Sequence, residues 1–224
     1  MNITLFTSGS TDSPKQVTHS WDNIRHYATK SVSEIGLTSK DTVLDVFPAN
    51  TIAHYTITAF PAYLSGAQYV CSSFTPYDYI RTFKRVQPSY ISLLPRHLEV
   101  LQKTKGFYDL DMSCVRYMVT GSSNITQEFI DAFKDRGVQL VANWYGMTEF
   151  PPPVMIGYDT PHFDINTINQ RDHHVMFMPA EGYSGNLHQC YINGVATGDL
   201  FQMDPVRFVK RIDTANGRTW KNNF

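Results

Sequence analysis

Between residue 42 and about residue 145 the chain alternates two hydrophobic periods. Short apolar runs of strand type stand at 42–47 (TVLDVF), 68–71 (QYVC), 90–94 (YISLL), 115–119 (VRYMV) and 138–141 (VQLV). Runs of this length and composition read as strands. Segments of helical period separate them, near 52–64, 77–86, 96–104 and 126–136. The last carries its own punctuation, with Thr126 as N-cap, Glu128 in the first turn, Phe129, Ile130 and Phe133 on one face, and Gly137 as the stop. Repeated strand–helix units predict an α/β fold, a mostly parallel sheet flanked by helices that binds ligands at the carboxyl ends of its strands. Chemistry is therefore expected in the loops that directly follow strands.

Two stretches lie outside this rhythm. At the front, an apolar run at 3–6 leads into a polar loop and then a helix over about 21–33. At the back, PPP at 151–153, several glycines and an alternating run at 187–192 (LHQCYI) predict a small β-rich subdomain. The expected division is an α/β core over 1–154 and the β-rich unit over 155–224.

The 224 residues amount to about one and a half domains at roughly 150 residues each. Hydrophobic residues make up 42% and charged residues 17%, enough for a core and incompatible with disorder. Lys and Arg number 19 against 20 Asp and Glu. That balance exerts no general pull on nucleic acid or an anionic membrane, so neither is an expected partner and any anion must be gripped locally. The three cysteines, Cys71, Cys114 and Cys190, fit neither a disulfide framework nor a CxxC zinc site. With a first segment unlike a signal peptide, they point to a cytoplasmic location.

Four segments carry candidate chemistry. TSGSTDSPK at 7–15 concentrates hydroxyls, a glycine, backbone N–H groups and a lysine, the equipment of a loop that wraps a polyphosphate. It is not a Walker A loop, because Pro14 stands where glycine is needed. Alone, it reads equally well as a solvated Ser/Thr turn. NWYGMTE at 143–149 follows a predicted strand and offers rings to stack on a base, a glycine and a carboxylate for a hard metal; a buried aromatic corner is its bland counterpart. VTGSSN at 119–124 places Gly121 where the backbone can approach a planar ligand. ATGDL at 196–200 offers Asp199 as an acceptor for ribose hydroxyls, or merely an ordinary turn.

Taken in order, with FPANTIAHYTITAFPAYLSGAQYV at 47–70 between them, these segments resemble the signatures of the adenylate-forming enzymes: acyl-CoA synthetases, peptide-synthetase adenylation domains and luciferases. The resemblance implies an AMP-forming ligase that uses ATP and Mg²⁺ to activate a carboxylic acid as its acyl-adenylate, releasing pyrophosphate. It implies that Thr7, Ser8, Gly9, Ser10, Thr11 and Lys15 close over the β- and γ-phosphates. Gly121, Ser122 and Ser123 form the adenine-side loop, and Tyr145 stacks on the base. Gly146 and Met147 continue that stretch toward the acyl pocket. Thr148 meets the α-phosphate, Glu149 holds the metal, Asp199 and Arg211 reach the ribose, and His54 stands beside the incoming carboxylate. Lys15, Thr148, Glu149 and His54 are thereby the candidate catalytic set.

The sequence also departs from the family pattern. Asp12 and Gln16 replace loop glycines, and the aspartate brings negative charge toward a triphosphate. The family's mobile C-terminal domain is expected to begin near Arg211, whereas the sequence ends at Phe224. The expectation is therefore adenylate formation without autonomous thioester transfer, or else a non-catalytic adenylate-binding module or a partial enzyme completed by a separate chain. Self-association is expected to cover exposed apolar surface. The tail histidines His162, His173, His174 and His188 lack metal-ligand spacing and read as a solvated face.

Overall fold

The computed structural model describes residues 2–7, 15–168, 172–183 and 186–212. A hairpin opens the chain, β1 (Asn2–Thr7) paired antiparallel with β2 (Lys15–Ser20), followed by α1 (Trp21–Ile35). Ser20 starts the helix by accepting a hydrogen bond from the Asn23 N–H, and Gly36, left-handed at φ 64°, ends it.

The central sheet comprises β3 (Thr42–Asp45), β4 (Gln68–Cys71), β5 (Tyr90–Ser92), β6 (Tyr117–Gly121), β7 (Val141–Tyr145) and β8 (Met155–Tyr158). Its order is β4-β3-β5-β6-β7-β8, parallel throughout except for the β7–β8 pair. The crossovers contain a π-helical stretch at His54–Ala59 running into α2 (Phe60–Ser65), then α3 (Pro76–Val86), α4 (Pro95–Leu101) and α5 (Gln127–Lys134). Thr126 caps α5 as its sequence predicts, accepting from the Phe129 N–H.

Alternation along the strands sorts the core into two layers. Leu44, Ile91, Met118 and Val141 face α3, α4 and α5 through Phe83, Leu98 and Phe133. Val43, Tyr90, Tyr117, Ala142 and Trp144 face the opposite layer with Ile35, Ile57 and Ala62. Both faces are dry, as a parallel sheet requires. Arg116 ties the N-terminal edge together with a two-pronged bond to Asp41 and further bonds to the Ile35 and Gly36 carbonyls. Burial alone would raise the Asp41 carboxyl, but bonds from Arg116, Ser89 and Thr38 hold it well below the usual range.

Three expectations change. The strand anticipated at 138–141 runs over Val141–Tyr145, so Asn143, Trp144 and Tyr145 belong to the strand rather than to a following loop. Met155–Tyr158, expected to open the tail unit, is instead the last strand of the large sheet. The separate antiparallel sheet consists of β9 (Val175–Pro179), β10 (Leu187–Ile192), β11 (Val195–Met203) and β12 (Val206–Arg211), in the order β12-β11-β10-β9. It packs on the β7–β8 end through Tyr145, Phe163 and Phe201. The third change concerns His173, which is buried and stacked on Tyr27 of α1 instead of solvated.

That burial has a measurable consequence. His173 is pushed down to about 4 by burial and by Lys30 and His26, and His97 to about 4 by burial and Arg96. Unfolded histidine titrates near 6.5, so between pH 6.5 and 4 the unfolded chain binds protons that the folded chain refuses. Stability is complete above that window and falls as the pH drops through it, by about 2–3 kcal/mol for each histidine. Urea midpoints measured from pH 7.5 to 4 check this: His173→Gln is expected to flatten the curve, and equal slopes in variant and parent would contradict it.

Candidate functional site

The carboxyl ends of β6 and β7 form the floor of the site. Gly121 ends β6 opposite Trp144, and a Cβ there would lie 2.3 Å from the Trp144 carbonyl oxygen. The glycine expected to admit a ligand is thus required first by the neighbouring strand. Ser122, at φ 66°, turns the chain away, and Ser123 is exposed beyond it. Gly146 likewise leaves no room for a side chain, since its Cβ would meet Pro152 Cα at 2.7 Å. Between Met147 and Phe150 the chain doubles back, closed by Met147 N–H to the Phe150 carbonyl (2.9 Å) and the reverse bond (3.1 Å). Thr148 and Glu149 form the tip of this bend.

Lys15 and Glu149, 134 residues apart, meet there at 2.8 Å. Lys15 is the first residue of β2 and pairs with Thr7 across the hairpin. Ser8, Gly9, Ser10, Thr11 and Asp12 lie outside the described residues. Gln16, the other departure from the family pattern, pairs with Phe6 inside the hairpin.

Below the bend lies a fully buried carboxylate. Asp199 sits within β11 and not in an ordinary turn, and accepts Arg211 Nε at 2.5 Å, Arg211 Nη2 at 2.7 Å and the Tyr145 hydroxyl at 2.8 Å. Burial would lower the Arg211 guanidinium, but Asp199 more than reverses this and raises it. Burial, and then Asp199, push the Tyr145 hydroxyl well up. Tyr145 is itself enclosed, with Phe163 and Phe201 edge-on to its ring. The two candidate ribose ligands therefore hold each other and the candidate stacking ring.

His54 stands apart from this group. Its Nδ1 lies 2.8 Å from Asp45 Oδ2 at the end of β3, close enough for an ion pair but not aligned for a hydrogen bond. Asp45 is wholly buried and also accepts the Tyr69 hydroxyl (2.8 Å) and the Phe47 N–H (2.8 Å). Burial, then Asp45, raise the Tyr69 hydroxyl.

Among the described residues no group of three or more His, Cys, Asp or Glu could ligate a metal. A single carboxylate nevertheless suits Mg²⁺, which keeps several of its waters and takes much of the rest of its shell from substrate phosphates. Glu149 fits that donor set, with Lys15 as the cation already in contact with it. No described helix is long and apolar enough to cross a membrane.

Reasoning from sequence missed His19, whose Nε2 lies 2.6 Å from the Thr148 carbonyl oxygen, and its neighbour Asn23. It also missed Asp45. The only local hint was a buried-strand pattern interrupted by a charge, since the partners are remote in sequence.

The fold is an α/β protein with a mostly parallel sheet, a small antiparallel sheet packed on its β7–β8 end, and a tight bend after β7 that meets Lys15. The AMP-binding enzyme family's sequence profile matches residues 2–175, and the chain belongs to that family. It is 29% identical over 153 residues to an indoleacetate–CoA ligase of Aromatoleum aromaticum, covering 67% of this chain and 29% of that protein. It is 31% identical over 150 residues to a crotonobetaine/carnitine–CoA ligase of Salmonella typhi, covering 65% of this chain and 28% of that protein. The chain thus spans under a third of the length of these curated relatives. Similar solved structures include an anthranilate–CoA ligase in complex with anthranoyl-AMP, with a TM-score of 0.78, 17% identity, and 93% of this chain and 46% of that chain covered. Another is the Bacillus subtilis o-succinylbenzoate–CoA synthetase in complex with ATP and magnesium, with a TM-score of 0.74, 17% identity, and coverage of 96% and 52%.

Proposed function

We propose that this chain forms the ATP-binding part of an AMP-forming ligase, in which a carboxylate attacks the α-phosphorus of ATP, pyrophosphate leaves and an acyl-adenylate forms. The observation that carries this is the meeting of Lys15 with Glu149 at the tip of the Met147–Phe150 bend, directly after Tyr145. The nucleophile is already an anion, so the site needs no general base and works by positioning and charge neutralisation. Lys15 and the loop after Thr7 neutralise the departing pyrophosphate, with charge-assisted hydrogen bonds of about 1.5–3 kcal/mol each. Thr148 donates to the α-phosphate, and Glu149 would hold the Mg²⁺ that offsets phosphate charge. The ribose lies over Asp199 and Arg211. His54, oriented by Asp45, lines the side from which the acid arrives. Relatives named as CoA ligases of indoleacetate, of crotonobetaine or carnitine, and of long-chain fatty acids favour an organic carboxylic acid as the class of substrate.

A second reading, an adenylate-binding module without turnover, is favoured by the contacts themselves. Glu149 is neutralised by the chain's own lysine, and Asp199 is occupied by Arg211 and Tyr145. Calorimetry with ATP, with and without Mg²⁺, joined to pyrophosphate–ATP exchange over a panel of carboxylic acids, separates the two. Glu149→Ala is expected to fold normally, because its partner Lys15 is 62% exposed and such pairs add little stability. It is expected to lose about tenfold or more in Mg²⁺-dependent ATP affinity. Binding without exchange favours the module, and absence of any nucleotide binding refutes both.

A further inference from the structure

We infer that His19 is a positioning residue, which locks the central peptide of the Met147–Phe150 bend and thereby aims Thr148 and Glu149, a role that rests on the nucleotide-binding reading above. The bend's own backbone bonds join its outer residues, Met147 and Phe150. Neither restrains the peptide between Thr148 and Glu149, and in a tight reversal it is this middle peptide that flips between alternative turn geometries. A flip would carry the Thr148 carbonyl to the other side and redirect the Glu149 side chain.

His19 reaches across from β2 to hold that carbonyl, with Nε2 at 2.6 Å and the histidine itself buried. A carbonyl can only accept, so Nε2 carries the proton. Nδ1 then presents a lone pair, and the Asn23 amide donates to it at 2.8 Å. Both ring nitrogens are satisfied in a single tautomer. Asn23 is fixed in turn, because its backbone N–H caps α1 through Ser20. The chain of contacts α1–Asn23–His19–Thr148 therefore runs from a rigid helix to the metal-side peptide. His19 follows Lys15 by four residues in the same strand, so one strand fixes both the phosphate-side lysine and the carboxylate it faces.

Two polar replacements separate positioning from general packing. In His19→Gln the side-chain amide nitrogen reaches where Nε2 stood and can donate to the Thr148 carbonyl. In His19→Asn the amide stops at the place of Nδ1 and cannot. The quantity to measure is the ratio of ATP affinity with Mg²⁺ to that in EDTA, by calorimetry, beside the thermal midpoint. The expected result is a ratio close to the parent's for His19→Gln and about five- to tenfold smaller for His19→Asn. Asn23→Ala, which leaves the ring in place but frees its tautomer, is expected to fall between them and serves if His19→Asn does not fold. Equal ratios in all the variants and the parent would overturn the role of His19 and leave nucleotide binding standing. Absence of Mg²⁺-dependent binding in the parent would instead overturn the nucleotide-binding reading, and this role with it.

Discussion

Arg211→Ala is expected to lower the unfolding free energy by about 3–4 kcal/mol at pH 7, more than Asp199→Asn does. The asymmetry follows from which partner is buried. Asp199 is fully enclosed, with its oxygens taken by Arg211 Nε (2.5 Å), Arg211 Nη2 (2.7 Å) and the Tyr145 hydroxyl (2.8 Å). Removing the guanidinium strands a carboxylate that has one hydroxyl donor left. Removing the charge from Asp199 strands a guanidinium whose side chain is 45% exposed and can turn to water, while the Tyr145 hydroxyl still finds an acceptor in the new amide. The cost of Asp199→Asn is accordingly about 1–2 kcal/mol. Urea unfolding of both variants at pH 7 is the measurement. A larger loss for Asp199→Asn than for Arg211→Ala would show that the pair is not held as described.

The same triad shows where sequence reasoning reaches its limit. Motif order singled out Tyr145, Asp199 and Arg211 one by one, through the family resemblance. Their mutual bonds were not legible, since Tyr145 and Asp199 lie 54 residues apart and only packing of the tail sheet on β7 joins them. The α/β architecture was legible for a local reason: caps such as Thr126 and stops such as Gly137 act within about one turn of the residues they control. Strand ends were less legible. A strand buried on both faces has no alternation to mark where it begins, so 138–141 looked like β7 although pairing with β6 starts only at Val141. Residue 138 instead closes the turn after α5 by bonding back to the Phe133 carbonyl. His173 was misread because its neighbour His174 is exposed and the ring that covers it, Tyr27, comes from α1, 146 residues away. His19 was invisible for a related reason, since its partner is a backbone carbonyl 129 residues distant.

Gly121→Ala should be the most damaging single-methyl change among the motif glycines of the described residues, costing about 3 kcal/mol or more and abolishing Mg²⁺-dependent nucleotide binding. The added Cβ would lie 2.3 Å from the Trp144 carbonyl oxygen, which is backbone and cannot rotate away. Relief requires β6 and β7 to part by roughly 1 Å at their carboxyl ends, where ordinary van der Waals contact is restored. The displaced peptide is the one that leads into Tyr145, Gly146 and the Lys15-paired Glu149. Packing and site geometry therefore fail together. Gly36→Ala supplies the comparison: its Cβ meets nothing within 4 Å, so only the left-handed backbone at φ 64° is penalised, at about 1–2 kcal/mol. Gly36 ends α1 far in sequence from the bend, so this variant should bind nucleotide as the parent does. Chemical denaturation and calorimetry on the two variants test the contrast. If Gly121→Ala proves no costlier than Gly36→Ala and still binds ATP with Mg²⁺, then β6 and β7 do not approach as closely as this geometry requires, and the bend is not braced by their pairing.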